Sequence, residues 1–297
     1  MVLFIRQTHS VKDCFVQTAV MCPYSLPLCQ SHACPRRTYV ASGVVPHMPG
    51  CRGGQLWLKA NITQKERYRV ELYFQQNTIL GQKITYDAQD RTKVVDKSLL
   101  KMLPESSPWR TDGQLGRCTV VGNGGILKNS GCGSKINKAD FVISYPNLKK
   151  QPKPLADRMS NYGNAPLIMP AFAFLFCTTI SFQVHQALHP LHLQQKVLFF
   201  NPNYLRELHR YWRKRGQRAP RLSSGLMLVS VALELCEEVN LYGFWPFNFD
   251  LSQEQLPHHY YDNVGPHRGS HSMPKEFLQL LNMHSKGAIN LHIGKCQ

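Results

Sequence analysis

Two short segments near the C-terminus carry the side chains best suited to moving a proton. One is His258-His259-Tyr260-Tyr261-Asp262-Asn263; the other is His271 with Glu276 five positions on. A neutral imidazole accepts a proton from a hydroxyl, and a charged one stabilises a departing anion. With an ordinary pKa near ~6.5, histidine keeps a basic fraction at neutral to mildly acidic pH. The same residues could instead ligate zinc, since His267 and His271 stand four apart and His259 is near. Pro266, Gly269 and Pro274 interrupt the helix that would align such a pair, so no metal is expected.

Two further segments are suited to anions. Gly122-Asn123-Gly124-Gly125 follows the apolar run Thr119-Val120-Val121. Glycines after a strand allow close backbone approach to a nucleotide, and turn N–H groups can face a phosphate. Asn123 can hydrogen-bond a base or ribose edge. The bland alternative is a tight strand–helix turn with no ligand. Ser223, Ser224 and Gly225 sit where a helix should begin, and their hydroxyls and N–H groups suit a carboxylate. An ordinary N-cap at Ser223 explains the same residues.

Composition bounds the partners and the compartment. Lys and Arg total 35 against 18 Asp and Glu, a net charge of +17. That balance implies an acidic partner: nucleic acid, anionic membrane or an acidic small molecule. The densest basic cluster is Arg210, Arg213, Lys214, Arg215 and Arg218. It shares a segment with Leu205, Leu208, Tyr211 and Trp212, as on the wet face of an amphipathic helix. No nucleic-acid motif accompanies it, so nucleic acid is not an expected partner. The 10 cysteines include no C-x-x-C pair, and their wide spacing fits disulfides in an oxidising compartment. The sequon Asn61-Ile62-Thr63 fits that compartment too. No entry signal or membrane anchor is visible. The apolar start stops at Arg6, and residues 171–177 are too few to span a bilayer.

The elements that must position these groups read as α/β. Residues 1–64 hold Pro23, Pro27, Pro35, Pro46 and Pro49 with little periodicity, and are expected to be irregular. Residues 65–75 suggest the start of a helix and of the ordered unit, which runs to 297. Residues 119–121, 141–144, 196–200, 240–244 and 289–293 suggest strands. Helices are expected over 204–215, stopped by Gly216, from Ser223 to about Glu238, and from Pro274 to His284, stopped by Gly287. Strands alternating with helices predict a mostly parallel sheet with helices on both faces. Ligands in such folds bind at the carboxyl ends of the strands.

Four segments in order resemble the sialyltransferase family, and specifically its α-2,8 branch. Residues 117–127, continuing through Ser130-Gly131-Cys132-Gly133, look like the start of the large sialyl motif. Residues 221–236, ending at Tyr242-Gly243-Phe244-Trp245-Pro246-Phe247, look like the small one. The segments holding His259 and His271 look like the remaining two. The wording is nearest the mono- and oligosialyl members, including the disialoganglioside synthase. The resemblance covers roughly residues 65–297 and implies a Rossmann-like fold of the variant glycosyltransferase-A type. It implies transfer of sialic acid from CMP-sialic acid, with inversion and without a metal, to the 8-hydroxyl of a terminal sialic acid on a glycolipid or glycoprotein. His271 is then the general base, and His259 contacts the CMP phosphate. Asn123, Gly124, Asn147, Ser223, Ser224, Gly225 and Trp245 are then donor-binding residues. It also implies disulfides Cys118–Cys236 and Cys132–Cys296, a Golgi lumenal location and an N-terminal membrane anchor. The chain departs from the family after residue 148, where Asp-Val-Gly and Asn-Pro-Ser segments are missing, and at Ser224, where threonine is usual. These departures also fit a non-catalytic relative that binds sialylated glycans.

Overall fold

The computed structural model describes residues 6–7, 70–107, 115–131, 167–189, 197–260, 263 and 271–294. Its central strand is β8 (Cys236–Tyr242), which pairs in parallel with β5 (Leu115–Val121) on one side and β9 (Asn290–His292) on the other. The two-residue β1 (Arg6–Gln7) adds an antiparallel edge to β5, giving the order β1-β5-β8-β9. A second sheet has the order β2-β7-β6. There β6 (Leu167–Met169) is parallel to β7 (Val197–Phe200), and β2 (Leu72–Tyr73) is antiparallel to β7. β3 (Lys83–Thr85) and β4 (Thr92–Val94) form an antiparallel pair, followed by α1 (Lys97–Met102). α2 (Leu175–Leu188) connects β6 to β7, and α5 (Met273–Ser285) connects β8 to β9, the crossovers that parallel neighbours require.

Three expectations are corrected. The described strands form two mixed sheets and a two-stranded pair, where one mostly parallel sheet was expected. The antiparallel edges come from β1 and β2, two-residue strands whose pairing is entirely long-range; β1 lies inside the stretch expected to be irregular. Second, residues 72–73 are strand where a helix was anticipated. Leu72 and Tyr73 are both buried and lie opposite Phe200 and Phe199, a contact that overrides local propensity. Third, the helix begun at Ser223 is α4 (Ser224–Leu235), and it ends three residues short of Glu238. Cys236 is already extended, with φ −116° and ψ 148°, so helix passes into β8 without a loop.

α3 (Pro202–Lys214) follows the sequence reading closely. Asn201 caps it by accepting from the Asn203 N–H at 2.9 Å, and Pro202 sits at its first turn. Gly216, at φ 95°, stops it. Tyr204, Leu205, Leu208, Tyr211 and Trp212 are buried, while Arg210 and Arg213 face outward. Trp212 donates its indole N–H to Ser230 Oγ at 3.0 Å, tying α3 to α4. Cys118 and Cys236, both fully buried, form a disulfide with Cα atoms 5.9 Å apart. It fixes the point where α4 becomes β8 against β5. Among the described residues no helix is long and apolar enough to cross a membrane.

Glu234, near the end of α4, accepts the Tyr204 hydroxyl at 2.8 Å. Burial pushes its carboxyl up to about 8, against the lowering effect of hydrogen bonds from Tyr204 and the Val70 N–H. A carboxyl raised in the folded state stabilises the protein in its protonated form. That contribution is complete below the ordinary value of 4.5 and is lost as pH rises through about 8. The Glu234→Gln variant is therefore expected to flatten the decline in stability between mildly acidic and alkaline pH, by a few kcal/mol at pH 8 and above. Urea unfolding of both proteins across that range checks it; parallel pH profiles would refute it.

Candidate active site

The carboxyl ends of β5 and β8 lie side by side, with Val121 opposite Tyr242. Beyond them the two chains stay joined. Gly122 donates its N–H to the Tyr242 carbonyl at 2.7 Å, and Gly124 to the Gly243 carbonyl at 2.9 Å. The His259 segment then closes on the same loop. Gly125 donates to the His258 carbonyl at 3.2 Å, and Tyr260 to the Asn123 carbonyl at 3.2 Å, with Gly124 and His259 forming an isolated antiparallel bridge. The glycine loop was expected to aim N–H groups at a phosphate. In the structure those of Gly122, Gly124 and Gly125 are bonded within the protein instead.

The same stitching accounts for two of the glycines. A Cβ on Gly124 would stand 2.6 Å from the Gly243 carbonyl oxygen, and one on Gly125 would overlap the Pro257 carbonyl. Both obstacles are backbone, so neither yields cheaply. Gly125→Ala is expected to cost about 1–3 kcal/mol through the forced separation of the two segments. Thermal unfolding measures the loss, and an unchanged midpoint would mean that the segments tolerate the separation.

A second group assembles at the start of α4. Ser223 is its N-cap, with Oγ accepting from the Leu226 N–H at 3.1 Å. Its own N–H donates to Glu276 Oε1 at 2.8 Å. Burial raises the Glu276 carboxyl above its ordinary value, while the bonds from Ser223 and the nearby His271 oppose that rise. The Ser223 hydroxyl is thus engaged as an N-cap; Ser224, the first helical residue, is exposed. His271 lies just before α5, exposed, with Nδ1 3.2 Å from the Arg221 carbonyl oxygen. That contact is attractive only when Nδ1 carries the proton, so the neutral ring keeps its lone pair on Nε2.

Aromatic rings join the two groups. The Phe244 ring touches both Gly122 and Gly225; a Cβ on Gly225 would lie 2.8 Å from it. Trp245 packs edge-on against Phe277 of α5, with centroids 5.4 Å apart, and donates its indole N–H to the Phe249 carbonyl at 2.9 Å. The rings of His258 and His259 meet edge-to-face at 4.5 Å. Of the residues named from sequence, the structure brings Asn123, Gly124 and His259 together through the Gly124–His259 bridge and the Tyr260–Asn123 bond. It links the Ser223 cap to α5 through Glu276 and His271 to the preceding Arg221, while Trp245 packs on Phe277 of α5. Asn61, Cys132, Asn147, His267 and Cys296 lie outside the described residues. Sequence reasoning assigned no role to Arg221 or to the bond between Ser223 and Glu276. The acidic residue in the first turn of α5, just after Pro274, was the available signal for the latter. Among the described residues no group of three or more His, Cys, Asp or Glu could hold a metal ion.

The profile of glycosyltransferase family 29 (sialyltransferase) matches residues 58–147 and 144–288. The chain belongs to this family. The two matched segments overlap at residues 144–147. The chain is similar to mouse alpha-2,8-sialyltransferase 8F, at 40% identity over 255 residues, covering 75% of this chain and 64% of that protein. It is also similar to bovine alpha-N-acetylneuraminide alpha-2,8-sialyltransferase, at 38% identity over 253 residues, covering 74% and 70% respectively. The chain thus spans somewhat under two thirds of the length of the 8F relative. A crystal structure of a mammalian sialyltransferase aligns at 21% identity and a TM-score of 0.39, covering 82% of this chain and 86% of that one.

Proposed function

We propose that the chain is an α-2,8-sialyltransferase of the Golgi lumen, held there by an N-terminal membrane anchor and glycosylated at Asn61. It transfers sialic acid from CMP-sialic acid to the 8-hydroxyl of a terminal sialic acid on a glycolipid or glycoprotein. The observation that carries the reading is the setting of His271. With Nδ1–H on the Arg221 carbonyl, Nε2 is the free base, and the buried Glu276 carboxyl lies near enough to steady the imidazolium that forms. The acceptor oxygen attacks the anomeric carbon as its proton passes to His271 Nε2. The bond from that carbon to the phosphate oxygen breaks on the opposite face, which inverts the configuration. CMP leaves with the bonding pair, and His259 balances the charge on its phosphate. Asn123, Gly124, Asn147, Ser223, Ser224, Gly225 and Trp245 form the donor site. The single phosphate of the donor is met by basic side chains, so no metal is needed.

A second reading, binding of sialylated glycans without transfer, is favoured by the break in the family match at 144–147 and by the committed N–H groups of the glycine loop. Calorimetric titration with CMP, followed by transfer of labelled sialic acid to a sialylated acceptor, separates the two. CMP binding and transfer support the enzyme. A folded protein that ignores CMP and transfers nothing refutes it in favour of the binding protein.

A further inference from the structure

The proposed reaction leaves open how the protein recognises that its acceptor already ends in sialic acid. Arg221 stands next to the answer. Its carbonyl holds His271, and its guanidinium lies over the Phe174 ring, 4.8 Å from the centroid. Phe174 in turn stacks with Phe176, with centroids 5.5 Å apart and planes 19° from parallel. Phe174 packs against the core, whereas Phe176 is 59% exposed at the start of α2. Among the described residues the side-chain ion pairs are Lys93–Asp96 and Arg210–Glu207, and no carboxylate pairs with the half-buried Arg221. A half-buried planar cation thus lies over one ring, with a second ring open to solvent, on the residue whose carbonyl holds the candidate base, and no carboxylate among the described residues pairs with it.

We infer that Arg221 binds the carboxylate of the acceptor's terminal sialic acid, with Phe174 and Phe176 covering an apolar face of that sugar. The inference rests on the proposed α-2,8 transfer and names the residues that would select its acceptor. A guanidinium offers a carboxylate two parallel N–H donors, so it fixes direction as well as place. Stacked rings hold the guanidinium plane and offer the sugar's C–H groups and acetamido methyl an apolar partner. In a terminal sialic acid the 8-hydroxyl lies on the side chain of the ring that bears the carboxylate. Holding the carboxylate at Arg221, the residue whose carbonyl also fixes His271, therefore limits where that hydroxyl can reach. A neutral galactose end has nothing for Arg221 to grip, so the same contact rejects acceptors that are not yet sialylated. Arg221 is on this account a specificity residue.

The donor carries a sialic acid carboxylate too, so the test must separate the two sources. The full chain, Arg221→Gln, Arg221→Lys and Phe176→Ala are compared by ligand-observed NMR with 3′-sialyllactose and with its methyl ester, and by calorimetry with CMP-sialic acid. Thermal midpoints serve as the fold control. The unsubstituted chain is expected to prefer the acid over the ester roughly tenfold to hundredfold. Arg221→Gln should bind both equally weakly, and Arg221→Lys should keep part of the preference. Phe176→Ala should weaken both ligands alike, with donor affinity unchanged in every case. The inference is overturned if Arg221→Gln still prefers the acid, if donor affinity falls in parallel with acceptor affinity, or if the unsubstituted chain binds neither ligand. Transfer assays keep the two claims apart. Acid-selective binding that depends on Arg221, without transfer, would sink the enzyme reading and spare this one. Transfer with an acceptor KM indifferent to Arg221 would do the reverse.

Discussion

Removing the Cys118–Cys236 disulfide is expected to lower unfolding stability by about 4–5 kcal/mol. The bond joins residues separated by 118 positions, and a cross-link over a loop that long removes a large share of the unfolded chain's freedom. Domains of ordinary size are stable by only about 5–15 kcal/mol, so most of the margin is at stake. The bond also locks the junction where α4 becomes β8, and α4 begins at the Ser223 cap. Its loss should therefore loosen the candidate site before it unfolds the chain. Urea unfolding of the oxidised protein, the reduced protein and the Cys118→Ala/Cys236→Ala variant makes the comparison. Coincident midpoints in all three would show that the bond contributes nothing. A reduced protein that stays as stable as the oxidised one, beside a weakened double variant, would assign the loss to packing.

Replacing His271 is expected to lower kcat for sialyl transfer by about a hundredfold to ten-thousandfold, the usual weight of a general base. Two variants distinguish chemistry from structure. His271→Ala removes both the base and the bond to the Arg221 carbonyl. His271→Asn can restore that bond through its amide N–H while supplying no base. Both should be slow, both should bind CMP as the unsubstituted chain does, and both should keep its thermal midpoint, because His271 is exposed. Transfer rescued in His271→Asn would mean that the residue matters for holding the Arg221 segment and not for taking the proton.

The elements read best from sequence were those bounded by local chemistry. Gly216 closes α3 through its own backbone, as read from sequence, while Pro202 and Asn201, whose side-chain oxygen accepts the Asn203 N–H, open it two residues before the expected start. Ser223 likewise announced α4, and Pro274 with Gly287 framed α5. The end of α4 was missed because nothing punctuates it: Leu233 and Leu235 run into Cys236 and Val239 with no glycine or proline. What stops the helix is the sheet, since β8 needs those residues extended between β5 and β9. β2 was missed for a similar reason, its partners Phe199 and Phe200 being far along the chain. The motifs themselves were legible, but their mutual arrangement was not. That Gly124 bridges His259, and that Glu276 takes the Ser223 N–H, depends on which segments the fold brings together. Residue type at each position carries no trace of either.

The stitched loop at the end of β5 constrains how the chain can vary in length. Surface loops ordinarily absorb insertions and deletions. Here residues 122–125 are matched, one against one, to 242–243 on one side and 258–260 on the other. One added residue would put every later N–H out of step with its carbonyl and drive a Cβ into a neighbouring backbone. Variation in length should therefore collect elsewhere along the chain, leaving the spacing from Gly122 to Gly125 as constant as that within a strand.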